Sequence, residues 1–308
     1  MWKGLVPMPF LFTENLEKAC PHWQTAFPMQ PQEVQALFLG FSVFTTFRSD
    51  LAYCWQRAHF KRLYEHGKEI GLAVTGFRAF SHELDTTLKA LIPPESPPQR
   101  VRITLFPMAY TPAQSPPFQP ACVVDVHPPL PPLPSTLAPA TIWLKTQLYQ
   151  GFCPHLKQGS QLPALRMHHE RGDGVDAVLW ENQAGELTES THANVIFHHR
   201  QWGWATPPQA DTLAGVTLQQ IRKASEDNGF RLVEHPLPVT ALPEIEALFL
   251  VNSIQGIRAV EGVNAHGVSH TFTTPPAVWE ACQALYTAWQ ARAFGESNGC
   301  YSEGLKQS

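Results

Sequence analysis

A carboxylate between two strand-like stretches is the first feature of the sequence that can take part in chemistry. Residues 185–197 read GELTESTHANVIF, and Glu189 falls between the two stretches. A carboxylate in that place can be buried at a strand end. The alternative is an exposed turn in which Ser190 and Thr191 make local hydrogen bonds. On this segment alone the turn interpretation is favoured.

A glycine at the start of a predicted helix offers a second kind of chemistry. Residues 213–217 read LAGVT. Gly215 has no side chain, so a ligand can approach the backbone closely there. The amides of Val216 and Thr217 lie at the start of a helix, where free N–H groups and the helix dipole favour binding of a phosphate. An ordinary capped helix start is the alternative.

Composition excludes several classes of protein. The chain has 308 residues, of which 44% are hydrophobic and 16% charged, enough to bury a core without disulfides or metal. A net charge of -4 argues against nucleic-acid binding. The six cysteines form no C-x-x-C pair, so we expect mostly reduced thiols and no metal site. No apolar run reaches the ~18 residues of a membrane span, and the N-terminus lacks a signal-peptide core. We therefore expect a soluble, cytoplasmic protein.

Strand and helix patterns are intermixed, which favours an α+β (mixed α/β) fold. A hairpin turn is expected at Ala184-Gly185. The proline-rich stretch suggests an N-terminal α/β lobe at 1–126, a linker at 127–140, a C-terminal lobe at 141–295 and a flexible tail at 296–308. Predicted strands cover 36–47, 101–106, 176–180, 193–198 and 248–251, and predicted helices cover 55–71, 217–228 and 276–292.

Several segments, taken in order, resemble the class IV (fold type IV) enzymes that use pyridoxal phosphate (PLP). This family includes branched-chain aminotransferases, D-amino-acid aminotransferases and aminodeoxychorismate lyases. The similar segments are VFTTFR at 43–48, HFKRL at 59–63, the T-E-x-x-x-x-N-x-x-F residues Thr188, Glu189, Asn194 and Phe197, TP at 206–207, LAGVT at 213–217 and NSIQG at 252–256.

The resemblance implies two lobes with PLP in the cleft between them, a homodimer, and a role for each matching residue. PLP is held as an imine on Lys157, and Glu189 keeps the pyridine nitrogen protonated so that the ring accepts electrons. The other implied cofactor-binding residues are Asn194 and, at the phosphate, Arg62, Val216, Thr217 and Ser253.

The lysine is chosen by its place relative to these segments. Lys157, in HLKQGS, resembles the family's L-K-x-x-N turn, with Ser160 at the asparagine position. Lys145 is the competitor, but it lies inside an apparent strand. A surface loop lysine is the alternative for Lys157. A further departure is Leu218, where the family usually has arginine.

The NSIQG loop and the F-T-T of residues 44–46 resemble aminodeoxychorismate lyases more than aminotransferases. The implied reaction converts 4-amino-4-deoxychorismate to 4-aminobenzoate and pyruvate, a step of folate biosynthesis. An amino-acid aminotransferase of the branched-chain or D-amino-acid type is the alternative, and a non-catalytic relative is a third hypothesis. The substrate is an amine that carries carboxylates, and the candidate residues for binding it are Thr46, Arg48, Arg102 and Asn252. Phe106-Pro107 replaces the family's common R-G after the 101–106 strand.

Overall fold

The computed structural model describes residues 10–13, 22–24, 35–74, 76–149, 151, 153–227, 229 and 231–295. The chain divides into two compact units, one formed by 1–132, 157–161 and 294–308 and the other by 133–156 and 162–293. The first boundary between the two units follows residue 132, which lies within the stretch 127–140 that we expected to be a linker. The tail expected at 296–308 lies outside the described residues.

The first unit contains a five-stranded antiparallel sheet with the order β2-β1-β5-β4-β3. The strand predicted at 101–106 is present as part of β4, whereas β5 extends into the proline-rich stretch. The strands are β1 (Phe10–Thr13), β2 (His22–Gln24), β3 (Val43–Arg48), β4 (Gln99–Pro107) and β5 (Pro120–Pro129), and the helices are α1 (Gln35–Phe38), α2 (Tyr53–Glu69) and α3 (Phe77–Leu91).

The two faces of this sheet have different roles because side chains alternate along a strand. Thr45 and Phe47 of β3 face α2, where the Phe47 ring stacks on His59 with centroids 5.0 Å apart. Phe44 and Thr46 therefore point to the opposite face. The register pairs Phe44 with Thr104 and Thr46 with Arg102, which places these four side chains on that opposite face.

The single strand predicted for 36–47 is wrong in its first half. Residues 35–38 form the short helix α1, and the chain turns at Gly40 before β3 begins at Val43. Gly40 has φ = +73°, a left-handed conformation that glycine adopts without steric cost. The apolar run thus belongs to two elements that both bury hydrophobic side chains.

The second unit contains a ten-stranded mixed sheet with the order β11-β10-β9-β13-β14-β6-β7-β8-β12, and β15 pairs with β14. Strand β6 runs parallel to both β14 and β7. The strands are β6 (Ile142–Leu148), β7 (Ala177–Glu181), β8 (Glu186–Ser190), β9 (Asn194–His199), β10 (Gly203–Thr206), β11 (Val233–Glu234), β12 (Leu237–Pro238), β13 (Ile245–Asn252), β14 (Gly256–Ala265) and β15 (Val268–Thr271), and the helices are α4 (Leu162–Glu170), α5 (Val216–Asp227) and α6 (Pro276–Phe294).

Local sequence signals confirm several elements of this unit. The hairpin predicted at Ala184-Gly185 joins β7 to β8, with Gly185 at φ = +77° and its N–H donating to the Asn182 carbonyl. The helices predicted at 217–228 and 276–292 correspond to α5 and α6. The mixed α/β fold class is confirmed.

Two further expectations can be compared with the structure. We expected mostly reduced thiols: Cys122 and Cys282 are buried free thiols, whereas Cys54 is in a disulfide. Within the described ranges, no helix combines the length and apolar character that crossing a membrane requires.

Candidate active site

Lys157 lies in a short segment that extends the first unit's sheet at the free edge of β3. The Phe44 N–H donates to the Lys157 carbonyl at 2.9 Å, and the Gly159 N–H donates to the Ser42 carbonyl at 2.7 Å. Val43 and Gln158 form an antiparallel bridge between these bonds. These backbone contacts fix the position of Lys157 although it is far from β3 in the sequence.

The side chain of Lys157 lies beside an aromatic ring. Its Nζ is 4.9 Å from the centroid of the Phe44 ring, and its backbone N–H donates to His66 Nδ1 at 3.3 Å. Gly159 packs closely against Ser42, because a Cβ at that position would lie 1.8 Å from Ser42 Oγ. The competing Lys145, in contrast, is an exposed residue of β6. An amine held at a defined place can act as a nucleophile or base.

Arg62 lies on α2 and is 8% exposed. Its Nη2 donates to Thr45 Oγ1 at 2.9 Å, and the same hydroxyl lies 2.8 Å from Nδ1 of His59. Burial, followed by the charges of Arg62 and Lys157, holds the pKa of His59 well below 6.5, so the imidazole is neutral. The Thr45 hydroxyl accepts from Arg62 and makes a second hydrogen bond with His59 Nδ1. The result is a buried guanidinium in a fixed orientation.

The second unit holds a carboxylate in a fixed orientation. Glu189 is near the end of β8, and Asn194 begins β9. Asn194 Nδ2 donates to Glu189 Oε2 at 3.1 Å and to the Leu213 carbonyl at 2.9 Å. The Leu213 N–H also donates to Glu189 Oε2, at 3.2 Å. Two donors on one oxygen hold that oxygen of the carboxylate in place.

Two hydroxyl groups meet at the start of α5. Thr217 Oγ1 and Ser253 Oγ are 2.7 Å apart, although they belong to different elements. The free amides of Val216 and Thr217 lie in the same first turn, because α5 begins at Val216. Gly215 precedes them, and a Cβ there would lie 1.8 Å from Asn194 Oδ1. The helix start and the carboxylate site are therefore in direct contact.

Asn252 has a clear local role in this arrangement. Its Oδ1 accepts the backbone N–H groups of Ile254 at 3.0 Å and Gln255 at 2.8 Å. These bonds shape the turn that carries Ser253. Leu218, which replaces the family's arginine, is a buried hydrophobic residue at 8% exposure.

The two arginines that we named as candidates for substrate binding differ in their contacts. Arg48 is 2% exposed and forms a bidentate ion pair with Asp50, and its Nη1 donates to the Pro131 carbonyl. Arg102 instead stacks on Phe44, with Cζ 3.7 Å from the ring centroid. These contacts favour a structural role for Arg48 and leave Arg102 as the better candidate.

Sequence reasoning missed the residues that orient the candidate groups. Thr45, His59 and Phe44 lie within the segments that carry the family resemblance, but a role in orientation was not assigned to them. His59 and Arg62 are three residues apart in a helix, and this spacing indicates that they share a face. No local signal reveals the contribution of the Leu213 backbone.

The donor set in each unit fits PLP. The first unit has an amine and a buried guanidinium, which suit an aldehyde and a phosphate. The second unit has an oriented carboxylate, which suits a pyridinium N–H, and a helix start with two hydroxyls, which suits a phosphate.

Comparison with known proteins agrees with this chemistry. Residues 42–263 match the family described as amino-transferase class IV. The fold is similar to that of a branched-chain aminotransferase from Thermoproteus uzoniensis (TM-score 0.74, 16% identity, covering 94% of this chain and 96% of that one).

Two further similar structures are described as lyases. One is a putative 4-amino-4-deoxychorismate lyase from Legionella pneumophila (TM-score 0.69, 18% identity, 85% and 96% coverage). The other is 4-amino-4-deoxychorismate lyase from Pseudomonas aeruginosa (TM-score 0.68, 17% identity, 84% and 95% coverage). Among curated proteins, no significant match is found. Because the family match covers most of the sequence, the chain belongs to the class IV aminotransferase family and is a PLP-dependent enzyme.

Proposed function

We propose that this enzyme is a lyase that converts 4-amino-4-deoxychorismate to 4-aminobenzoate and pyruvate, a step of folate biosynthesis, and that it works as a homodimer. The observation that carries the proposal is the 252–256 turn. Its NSIQG sequence resembles the lyases, and its Asn252 holds Ser253 against Thr217. Both lyase structures named above are consistent with the proposal at the level of the fold.

Lys157 is proposed as the residue that binds PLP covalently and then moves the proton. Bound PLP supplies an electron-withdrawing ring at the amine-bearing carbon of the substrate. The Lys157 amine would be freed when the substrate amine takes its place on the cofactor, and it would then remove the proton from that carbon. The C–O bond at the adjacent carbon then breaks, the leaving enolpyruvate takes up a proton and becomes pyruvate, and the substrate ring becomes aromatic. The fixed backbone of residues 157–159 keeps the amine in one place during these steps.

The other residues are proposed to bind and orient the cofactor. Glu189 accepts a hydrogen bond from the protonated pyridine nitrogen, and Asn194 orients that carboxylate. Arg62, the amides of Val216 and Thr217, and the Thr217 and Ser253 hydroxyls bind the phosphate.

The absorbance spectrum with added PLP tests the assignment of Lys157. Covalent attachment to a lysine gives a band near the visible edge that borohydride removes. We expect this band for the wild type and for Lys145→Ala, but not for Lys157→Ala. A band that persists in Lys157→Ala, or is absent from the wild type, would contradict the assignment.

The reaction itself is tested separately, because an aminotransferase would use the same cofactor residues. We expect pyruvate release from 4-amino-4-deoxychorismate without any added keto acid, followed with lactate dehydrogenase. An absolute requirement for 2-oxoglutarate or pyruvate as amino acceptor would select the aminotransferase instead. The branched-chain aminotransferase structure, with a TM-score of 0.74 against 0.69 and 0.68 for the two lyases, keeps that second function in consideration.

A further inference from the structure

His66 is a buried histidine whose side chain contacts the segment that carries Lys157. It is 7% exposed and lies in the last turn of α2. Its Nδ1 accepts the backbone N–H of Lys157 at 3.3 Å, whereas the Lys157 carbonyl accepts the N–H of Phe44 on β3 at 2.9 Å. The two backbone groups of Lys157 are therefore bonded to two different elements, and His66 provides the bond to α2.

The bond between His66 and Lys157 requires an acceptor atom at one defined place. Nδ1 accepts a hydrogen bond only when it carries no hydrogen, so the neutral ring that makes this bond has its hydrogen on Nε2. A side chain with an oxygen near the position of Nδ1 could take over the bond. An apolar side chain of similar size would fill the space but leave the Lys157 N–H without this acceptor, which is unfavourable for a buried group.

The close packing of α2 against the sheet fixes the position of His66. Gly67 follows it in the helix, and a Cβ added there would lie 3.1 Å from Leu105 Cδ1 on β4. A helix packed this closely has little room to shift, because protein interiors contain few voids. The His66 ring is therefore a rigid support for the backbone of Lys157.

The same helix carries the guanidinium that is proposed to bind the phosphate. Arg62 and His66 are four residues apart in α2 and both are buried, so their side chains lie on one face of the helix. A cofactor that is bound by Arg62 and attached to Lys157 requires a defined separation between these two residues. Because His66 connects Lys157 to α2, this one helix can set that separation.

We propose that His66 is a positioning residue, which accepts the backbone N–H of Lys157 and thereby holds the Lys157 amine where it attaches to the cofactor. This inference rests on the proposed function, which assigns the covalent attachment of PLP to Lys157. The role concerns attachment only, so the binding of the phosphate and the pyridine ring should not depend on His66.

The test compares two ligands that differ in the group that reacts with lysine. PLP carries an aldehyde, and 4-deoxypyridoxine phosphate has a methyl group in its place. Isothermal titration of the PLP-free protein measures both dissociation constants for the wild type, His66→Leu, His66→Asn, His66→Gln and His82→Leu. Asparagine places its amide oxygen near the position of Nδ1, whereas the oxygen of glutamine lies farther from the backbone. His82 is an exposed histidine of α3 in the same unit, so its variant is the matched control.

We expect His66→Leu to raise the dissociation constant for PLP about three- to tenfold, the equivalent of one hydrogen bond, and to leave that for 4-deoxypyridoxine phosphate unchanged. His66→Asn should recover most of the PLP affinity, His66→Gln should not, and His82→Leu should behave like the wild type. An equal loss for both ligands, or no loss for PLP, would overturn the inference. If His66→Leu does not fold, equal PLP affinities of His66→Asn and His66→Gln would overturn it.

The absorbance band near the visible edge separates this inference from the proposed function. Its absence from the wild type with PLP would refute the attachment to Lys157, and the role of His66 would fall with it. Its presence in the wild type, together with an unchanged PLP affinity in His66→Leu, would refute only the role of His66.

Discussion

Asn194 Nδ2 lies 3.1 Å from Glu189 Oε2 and so connects the candidate carboxylate to the segment before α5. The same amide group donates to the Leu213 carbonyl at 2.9 Å. Gly215 lies against the other end of this side chain, because its added Cβ would be 1.8 Å from Asn194 Oδ1. Asn194 therefore joins the carboxylate to the segment before α5, beside the direct bond from the Leu213 N–H to Glu189.

Replacing Asn194 by alanine should weaken PLP binding about tenfold or more, because a hydrogen bond to a charged group contributes about 1.5–3 kcal/mol. The dissociation constant is measured by absorbance titration of the PLP-free protein. Asn264→Ala is a matched control, since among the described residues the Asn264 side chain bonds only Ser269, at an exposed site. An Asn194→Ala protein with wild-type affinity would contradict the orienting role of this amide.

Gly215→Ala should weaken PLP binding by displacing Asn194. In an Asn194→Ala background the same glycine substitution should raise the PLP dissociation constant by a smaller factor, because the Asn194 Oδ1 atom that the new Cβ would meet is absent. The double-mutant cycle measures this difference from the four PLP dissociation constants. Gly76→Ala serves as the control, since no atom lies within 4 Å of its added Cβ. Strictly additive effects would show that Gly215 acts without Asn194.

Thr45→Val should both destabilise the protein and misplace Arg62. The buried Thr45 hydroxyl makes hydrogen bonds with Arg62 and His59. Without this hydroxyl, both side chains lose a buried hydrogen-bond partner, which should lower the free energy of unfolding by about 1–3 kcal/mol. Thr146→Val is the matched control in urea denaturation, because the buried Thr146 hydroxyl has no partner among the described residues and its removal should cost little.

The role of Thr45 in positioning Arg62 is distinguished from a purely structural role by the choice of ligand. Thr45→Val should lose affinity for PLP but keep its affinity for pyridoxal, which lacks the phosphate. An equal loss for both ligands would mean that the substitution acts through general destabilisation.

Local sequence patterns predict the elements in which hydrophobic residues recur at a regular spacing, and those that end at a typical turn residue. Helix α5 and the Gly185 hairpin are examples. The buried Phe80, Leu84 and Leu88 of α3 also follow a helical spacing, so that helix could have been predicted. The short helix α1 could not, because its apolar run continues into β3 and a buried strand has the same composition.

The residue types of the candidate site were also accessible from the sequence, but their contacts were not. The bonds between Phe44 and Lys157, or between Thr217 and Ser253, join residues that are distant along the chain. Such contacts depend on sheet order and register, which a single sequence does not specify. The difference between Arg48 and Arg102 arises for the same reason, since both lie on strands and only their neighbours distinguish them.

Glu83 makes stability depend on pH independently of the candidate site. It lies on α3, is 7% exposed, and neither carboxylate oxygen has a hydrogen-bond partner among the described residues. Burial raises its pKa from 4.5 to about 7. The folded protein therefore holds this proton more tightly than the unfolded chain does, and the resulting stabilisation is complete below pH 4.5 and is lost as the pH rises through 7.

Glu83→Gln removes this titration while keeping the shape of the side chain. Compared with the wild type, the variant should have similar unfolding free energy near pH 4 and should be more stable near pH 8, by an amount on the order of 1 kcal/mol after allowance for solvent screening. Urea denaturation at several pH values measures the difference. Glu95→Gln, at an exposed position after α3, should show no such trend. A Glu83→Gln curve parallel to that of the wild type from pH 4 to pH 8 would show that the pKa of Glu83 is the same in the folded and the unfolded protein.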